Sequence, residues 1–193
     1  PLVASAVAGS SGAAAPAPGG ESQGGEEVIL SNPADRHEHL ATLRFATAGD
    51  VDRAFASAAA AFADWNGRDA DARAAVLERA AEGIESRRDV LVALLVREAG
   101  RTLSDAVSEI REAADFCRYY AAEARRLFGA PRLLHGPTGE SNELFLTGRG
   151  VIACISPWNF PLAIFVGQVA ASLAAGNAVV AKPPENTPLA CLA

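Results

Sequence analysis

The sequence predicts an α/β protein in which an N-terminal helical region is followed by the first strands of a parallel sheet. Apolar residues recur with helical spacing over most of residues 50–128. Two short apolar runs, residues 151–156 and 178–183, flank an almost wholly apolar helical segment. Strand, helix and strand in that order within about 30 residues form the βαβ unit of a parallel sheet. Because two parallel strands do not make a viable domain, we expect the fold to be incomplete in this sequence.

The amino-acid composition and net charge exclude several classes of partner and location for this protein. The 193 residues are 50% hydrophobic and 21% charged, and 23 acidic against 17 basic residues give a net charge of −6. This balance is typical of a globular protein and argues against a nucleic-acid partner or an anionic membrane surface. The sequence contains no apolar run of about 18 residues, so no membrane-spanning helix is predicted. The three cysteines lie far apart, which favours a reducing, cytoplasmic location.

The chain is expected to become ordered near Glu26. Residues 1–25 are mostly Ala, Gly, Ser and Pro, which bury too little surface to offset the entropy of ordering. They predict a flexible interdomain linker, and the domain is assigned to residues 26–193. The apolar run EEVIL, the turn signal SNPAD with Pro33, and the alternating run HLATLRFAT predict a β-hairpin.

Four helices are predicted next. The first begins at Asp50, and its apolar face comprises Val51, Phe55, Ala58, Phe62 and Trp65. The second covers residues 72–84, with an apolar stripe of Val76, Leu77, Ala80 and Ile84. Asp89 is expected to cap the third, which ends at Gly100.

The fourth helix is the longest. Thr102 is its predicted N-cap, with Asp105 placed three residues later as in a variant of the capping box. Its apolar stripe consists of Leu103, Val107, Ile110, Ala114, Cys117, Ala121, Ala124 and Phe128.

Gly and Pro become frequent after Gly129. PRLLHGPTGESN predicts a loop and NELFLTG a strand. VIACIS predicts a buried strand, PWNFP a turn, and residues 162–175 an apolar crossover helix that ends at Gly176. AVVAKP then predicts the second parallel strand.

Polar residues follow both parallel strands, at the edge where open α/β sheets bind ligands. Asn159 comes after the first strand, and Lys182 and Glu185 come after the second. An amide, an ammonium and a carboxylate at one edge can form a site. A proline-rich turn and a strand end with solvated charges explain the same residues, so the pattern alone leaves both interpretations open.

The segments ISPWNFPL and AAGNAVVAKP, followed by E-x-T-P at residues 185–188, resemble the aldehyde dehydrogenase superfamily. The likeness is to the N-terminal half of its NAD-binding domain, which has a Rossmann-like sheet. The longer run from RYYAAEARRLFG through GPTGESNELFLTGRG to AVVAKP is similar to one branch. This branch is the L-glutamate γ-semialdehyde (pyrroline-5-carboxylate) dehydrogenase domain of the bifunctional proline utilisation A (PutA) proteins.

The resemblance implies a role for each matching residue. Asn159 matches the catalytic amide of the oxyanion hole. Lys182 and Glu185 match the pair that binds the adenosine ribose, where a carboxylate favours NAD over NADP. Pro184 departs from the family, which usually has a small residue there, and it removes a backbone donor. The resemblance also implies cofactor contacts for Ile155, Ser156, Pro157 and Trp158, and a substrate pocket formed by Phe160, Ile164 and Gly167.

At the level of the whole protein, the resemblance implies NAD-dependent oxidation of L-glutamate γ-semialdehyde to L-glutamate in proline catabolism. FAD would belong to a proline dehydrogenase domain outside this chain, and the full-length enzyme would be a homo-oligomer. In the family the catalytic Cys, the general-base Glu and the Gly-rich cofactor turn come later in the chain. These residues alone are therefore expected to be inactive and poorly stable. Two alternatives stay open: another aldehyde substrate, or a non-catalytic scaffold or oligomerisation module.

For the other candidate residues, the sequence favours structural roles over catalytic or metal-binding ones. Cys154 lies within an apolar strand and is expected to be a core thiol, and we expect none of the three cysteines to be catalytic. His37 and His39 lack further ligands nearby, so no metal site is predicted, and His135 is expected to be solvated. The sequence around Gly148, Arg149 and Gly150 is not a dinucleotide fingerprint. Arg125 and Arg126 are expected to be the charged end of a helix.

Overall fold

The N-terminal hairpin is confirmed. The computed structural model describes residues 25–193, and the predicted linker lies outside the described residues except for its last position. Strand β1 (Glu27–Ser31) pairs antiparallel with β2 (His39–Arg44), with an irregularity between Leu30 and Ser31. The Asn32 side chain accepts a hydrogen bond from the Ala34 amide at 2.9 Å, an Asx turn that reverses the chain.

The four predicted helices are also confirmed, as α1 (Ala48–Asn66), α2 (Ala70–Ser86), α3 (Arg88–Ala99) and α4 (Leu103–Phe128). Thr102 caps α4 by accepting from the Asp105 amide. A complete capping box begins α1, where the Thr47 side chain accepts from the Asp50 amide and the Asp50 carboxylate accepts from the Thr47 amide.

The predicted cap at Asp89 is wrong. Asp89 lies inside the first turn of α3, and Arg87 occupies the N-cap position without a side-chain hydrogen bond. Arg87 has φ −100° and ψ 12°, and its amide still bonds to the Gly83 carbonyl at the end of α2. Because the chain stays nearly helical between α2 and α3, no extended residue precedes α3 from which a side chain could cap it.

Helices α2 and α4 pack together and against a fifth helix, α5 (Ala163–Ala174). Their shared core is built largely of small side chains: Ala74, Leu77, Ala81, Ala114, Cys117, Ala121, Ala124, Ala170 and Ala174. A second cluster joins α3, α4 and the start of α5 through Leu91, Leu95, Ile110 and Leu162.

Several predicted buried positions are exposed instead. They are Val51 and Phe55 of α1, Ala80 of α2, and Leu103 and Val107 of α4. Ala81, Ala106 and Glu109 are buried in their place on α2 and α4. At Ala80 and Val107 the helical period misses the buried residue by one position, and contact with the neighbouring helices decides which of the two residues is covered.

The segment after α4 differs from its prediction. Residues 132–134, assigned to a loop, form strand β3 (Arg132–Leu134), which pairs antiparallel with β4 (Asn142–Leu144). The strand predicted over residues 142–148 is therefore shorter than expected. This second hairpin is exposed, including Leu133, Leu144 and Phe145, so it lacks the alternation between buried and exposed residues that marks a strand in sequence.

The parallel unit is confirmed as β5 (Val151–Ile155), α5 and β6 (Ala178–Lys182). Within β5 only Cys154 is buried, so the expectation of a fully buried strand is wrong. Gly176 links α5 to β6 at φ +84°, and a Cβ there would lie 2.8 Å from Asn66 Oδ1. Both the backbone angle and the close approach require glycine. A short helix, α6 (Leu189–Leu192), follows β6.

No helix within the described residues is both long enough and apolar enough to cross a membrane.

Candidate functional site

The parallel pairing brings the two predicted halves of the site together. Ile155 lies opposite Lys182 in the register, and the Ser156 amide donates to the Lys182 carbonyl at 3.2 Å. The turn that carries Asn159 and the loop that carries Glu185 therefore leave the same edge of the sheet. Loops at the carboxyl ends of parallel strands are where such sheets bind ligands.

The β6 side of the edge is open to solvent. Lys182 Nζ lies 3.1 Å from Glu185 Oε1, and the two side chains are 48% and 64% exposed. Beside this pair lies a cavity of about 290 Å³ between the end of β6, the hairpin and α1. Its lining includes Leu43, Phe45, Val51, Pro183, Pro184, Pro188 and Leu192.

This side fits the nucleoside part of a dinucleotide. An ammonium donates to ribose hydroxyls, a carboxylate accepts from them, and an apolar cavity beside the pair suits a flat ring. Pro184 is buried and has no N–H, so a ligand at this position meets apolar surface in place of a backbone donor.

The β5 side is held by contacts from other parts of the chain. Asn159 lies on an irregular turn between β5 and α5, and its backbone carbonyl accepts a hydrogen bond from the Arg101 guanidinium. The same guanidinium stacks on Phe160, 4.1 Å from the ring centroid. Asn159 itself is exposed at this edge of the sheet.

Other hydrogen bonds fix the rest of this turn. The Thr187 hydroxyl donates to the Trp158 carbonyl at 3.3 Å, and the Cys191 thiol donates to the Pro161 carbonyl at 2.9 Å. The buried Glu109 carboxylate accepts from the Leu162 amide at 2.9 Å. Contacts from α4, from the loop after β6 and from α6 therefore hold a segment that has no strand or helix pairing of its own.

The predicted substrate-side residues separate into two places. Ile164 and Gly167 line a groove of about 630 Å³ between α4, α5 and β5, whereas Phe160 lies under Arg101 and is not among the residues that line it. Gly167 also permits close helix packing, because a Cβ there would lie 3.1 Å from the Phe116 ring. Ile155 and Trp158 are exposed at the sheet edge, and Ser156 is buried.

None of the three cysteines is an activated nucleophile. Burial raises the pKa of Cys117 to about 11. Burial also raises the pKa of Cys154, against a smaller opposing effect of its hydrogen bond to Ser172. The pKa of Cys191 is raised by burial and, to a smaller extent, by the Glu98 and Glu109 carboxylates. All three are free thiols, and their raised pKa values favour the protonated form at neutral pH.

Two buried carboxylates were missed from the sequence. Glu109 is described above, and Glu98 accepts from the Leu189 and Ala190 amides at 2.5 and 3.1 Å. Burial raises the pKa of Glu98 to about 7, although both backbone hydrogen bonds lower it. Their positions in the sequence could have indicated that they are buried. Glu98 lies three residues after Leu95 and Glu109 lies next to Ile110, both on buried helix faces.

The remaining candidates have local partners. His39 Nε2 lies 3.1 Å from the Thr42 hydroxyl, and His135 is exposed. Within residues 25–193, no three His, Cys, Asp or Glu side chains are arranged to hold a metal ion. The Asn177 side chain accepts from the Arg149 and Gly150 amides at 2.5 and 3.2 Å. Arg125 near the end of α4 forms ion pairs with Asp71 and Glu78.

Comparison with known proteins gives one consistent result. Residues 20–193 match the family model described as "Aldehyde dehydrogenase family". The bifunctional protein PutA of Escherichia coli is 46% identical over 165 residues, which are 86% of this chain and 12% of that protein. The 1-pyrroline-5-carboxylate dehydrogenase 2 of Bacillus subtilis is 39% identical over 164 residues, which are 84% of this chain and 32% of that protein.

A crystal structure of Bradyrhizobium japonicum proline utilization A, a D779W mutant, superposes with a TM-score of 0.76 at 58% identity. The match covers 77% of this chain and 15% of that one. The chain thus spans about an eighth of the length of the bifunctional relatives and about a third of the single dehydrogenase.

Proposed function

The chain belongs to the aldehyde dehydrogenase family, and from that premise we propose that it forms the amino-terminal part of an NAD-dependent L-glutamate γ-semialdehyde dehydrogenase. This enzyme would oxidise the aldehyde to L-glutamate in proline catabolism. Support for the substrate comes from the names of the relatives, a bifunctional PutA and a 1-pyrroline-5-carboxylate dehydrogenase. Support for the chemistry comes from Asn159 and the Lys182–Glu185 pair at one sheet edge.

The placement of Asn159 is the observation that carries the proposal. Attack of a cysteine thiolate on an aldehyde turns its carbonyl oxygen into an oxyanion. A fixed side-chain amide that donates to this oxygen stabilises charge that exists only along the reaction, and one such donor contributes about 3 kcal/mol. Asn159 has this chemistry, and its turn is tied to the link between α3 and α4, to α6 and to the loop after β6.

The cofactor would bind at the end of β6. The family is generally NAD(P)-dependent, and the bound dinucleotide supplies the hydride acceptor. Lys182 and Glu185 would bind the ribose hydroxyls, and the Glu185 carboxylate would repel a 2′-phosphate and so favour NAD. Ile155, Ser156, Pro157 and Trp158 would contribute the wall at the end of β5.

The attacking thiolate would come from outside these residues. All three cysteines of the chain have raised pKa values and lie in buried or half-buried positions, so none of them is a thiolate at neutral pH. We therefore propose that residues 1–193 alone do not oxidise aldehydes.

Ile164 and Gly167 on α5 and Phe160 on the turn would form the substrate side. FAD would belong to a proline dehydrogenase domain outside these residues. We also propose a cytoplasmic location, because free buried thiols suit a reducing compartment, and a homo-oligomeric enzyme, because the hairpin of β3 and β4 exposes Leu133, Leu144 and Phe145.

The test is steady-state NADH formation from pyrroline-5-carboxylate by the full-length protein, as wild type and as Asn159→Ala. We expect a loss of about two decades or more in kcat for the variant. Asn186→Ala, an exposed asparagine in the loop after β6, is the matched control and should keep wild-type turnover. Turnover of simpler aldehydes but not of this substrate would retain the family and reject the substrate. No turnover of any aldehyde would favour a scaffold.

A further inference from the structure

The position of the Asn159 side chain depends on contacts from other parts of the chain. Residues 157–161 form neither helix nor strand, so side chains from other parts of the chain supply much of what holds them. An amide in an oxyanion hole must stay within a fraction of an ångström of its productive position. The groups that bind this turn are therefore candidates for a functional role.

Arg101 binds the turn at the Asn159 carbonyl, and Glu109 binds it at the amides three and four residues further along. The Arg101 guanidinium donates to the Asn159 carbonyl, and its Nε donates to Glu109 Oε2 at 3.1 Å. The other oxygen of Glu109 accepts from the Leu162 and Ala163 amides, at 2.9 and 3.3 Å. One buried ion pair thus joins the carbonyl of Asn159 to the first turn of α5, three residues further along.

The pair is placed where it has little freedom. The Glu109 side chain is completely buried and that of Arg101 is 17% exposed, so both charges depend on each other and on their hydrogen bonds. The Phe160 ring covers the guanidinium from one face. Arg101 follows Gly100, whose left-handed backbone (φ +64°) ends α3 and turns the chain toward α4.

From this geometry we propose that Arg101 and Glu109 are positioning residues that hold the Asn159 amide in place for the oxyanion. The inference rests on the role of Asn159 given above. Neither residue needs to contact substrate or cofactor. Because the oxyanion exists only along the reaction, a displaced amide lowers kcat while the KM values for aldehyde and NAD stay close to wild type.

A double-mutant cycle on the full-length protein separates positioning from general support of the fold. We expect Arg101→Gln to lower kcat about tenfold or more in the wild-type background, but less than about twofold when Asn159 is already alanine. Glu109→Gln keeps the shape and one acceptor but loses the charge, and it should behave in the same way. Arg101→Lys can bind Glu109 or the Asn159 carbonyl but not both, so its kcat should be intermediate.

Arg118→Gln is the matched control, since Arg118 pairs with Glu85 through two hydrogen bonds on the exposed side of α4. Its kcat should match wild type in both backgrounds. Thermal unfolding of each variant checks folding, and if Arg101→Gln does not fold, Glu109→Gln and Arg101→Lys complete the cycle.

Each outcome decides the inference. Equal losses of kcat in both Asn159 backgrounds would show that the ion pair supports the fold alone, and unchanged kcat would show that it does not hold the amide. Either result overturns the positioning role and leaves the proposed function intact. A full-activity Asn159→Ala variant would instead remove the oxyanion role, and the positioning role with it.

Discussion

The two strand ends that form the candidate site are held in opposite ways. After β5, the turn that carries Asn159 is bound by an ion pair whose carboxylate is completely buried. After β6, Lys182 and Glu185 pair with each other in the open, each about half exposed or more. The first end is fixed by contacts that centre on a buried carboxylate, and the second carries side chains that stay in contact with water.

This difference would suit the two tasks of the proposed dehydrogenase site. Stabilising charge in a transition state requires a donor that does not move, so burial of its supports is worth its desolvation cost. Binding a dinucleotide reversibly requires side chains that exchange water for ligand, so an exposed pair with little interaction energy of its own is suited to that task.

The largest expected effect comes from breaking the buried end. Glu109→Leu leaves the Arg101 charge without its partner and the Leu162 and Ala163 amides without an acceptor. We expect the free energy of unfolding to fall by about 3–5 kcal/mol. Thermal or denaturant unfolding of the full-length protein measures it, and Glu185→Leu at the exposed end should change it by less than about 0.5 kcal/mol. Equal effects would contradict the contrast between the two ends.

The second prediction concerns pH at Glu98, which anchors α6 behind the β6 loop. Its folded pKa, about 7, lies above the unfolded value near 4.5 because of burial. The folded state therefore holds the proton more strongly, and stability is lost as pH rises from about 4.5 to about 7. The loss is at most about 3 kcal/mol.

Glu98→Gln should flatten this pH dependence, because glutamine stays neutral across the range. Melting curves of wild type and variant between pH 4.5 and 8 test it. Glu78→Gln is the control, since Glu78 is held by Arg125 near the surface and its pKa is lowered. A wild-type stability that rises across this window would show that the Glu98 carboxylate is not disfavoured by burial.

Two glycines offer a finer comparison. Gly100 turns the chain toward Arg101 and Gly176 turns it into β6, both with positive φ. A Cβ at Gly100 would meet only Pro33 at 3.6 Å, whereas at Gly176 it would meet Asn66 at 2.8 Å. We expect alanine to cost about 1 kcal/mol at position 100 and about 2 kcal/mol at position 176, as read from melting curves. Equal costs would mean that Asn66 moves aside freely.

The smallest effect on stability is expected at Lys182. Lys182→Ala should leave the melting temperature nearly unchanged, because an exposed ion pair contributes little. The KM for NAD should rise several-fold while kcat changes less, since a ribose contact helps the bound and the reacting states equally. A KM at the wild-type value would argue against a ribose contact at this position.

The sequence alone was sufficient for the parts of the molecule with a strong period or a dense motif. The four helices, the first hairpin and the βαβ unit were predicted, and the strand register confirms that Lys182 lies beside the end of β5. Helical spacing located buried faces only approximately, so Val107 and Phe55 were expected inside and lie outside. The hairpin of β3 and β4 is exposed, so its sequence lacks the alternation of apolar and polar residues that predicts a strand.

The supports of the turn could not be predicted from local pattern. Arg101 is 58 residues from Asn159, and Glu109 is 53 residues from Leu162. Their pairing depends on how α3, α4 and α5 pack, which no spacing in a single sequence specifies. The sequence shows that an acidic residue lies on an apolar helix face, but it does not show which residue pairs with it.

The core between α2, α4 and α5 has a consequence for how this protein tolerates change. Seven of its nine buried members are alanines, so the helix backbones meet at methyl-group range. Shortening an alanine side chain removes only one methyl group. A series of large-to-small substitutions would therefore show little loss of stability in this region. Its sensitivity lies in the other direction: Ala114→Leu or Ala170→Leu would force the helices apart and shift the platform on which both strand ends sit. Substitutions that enlarge a side chain, rather than those that shorten one, should therefore mark this core as essential.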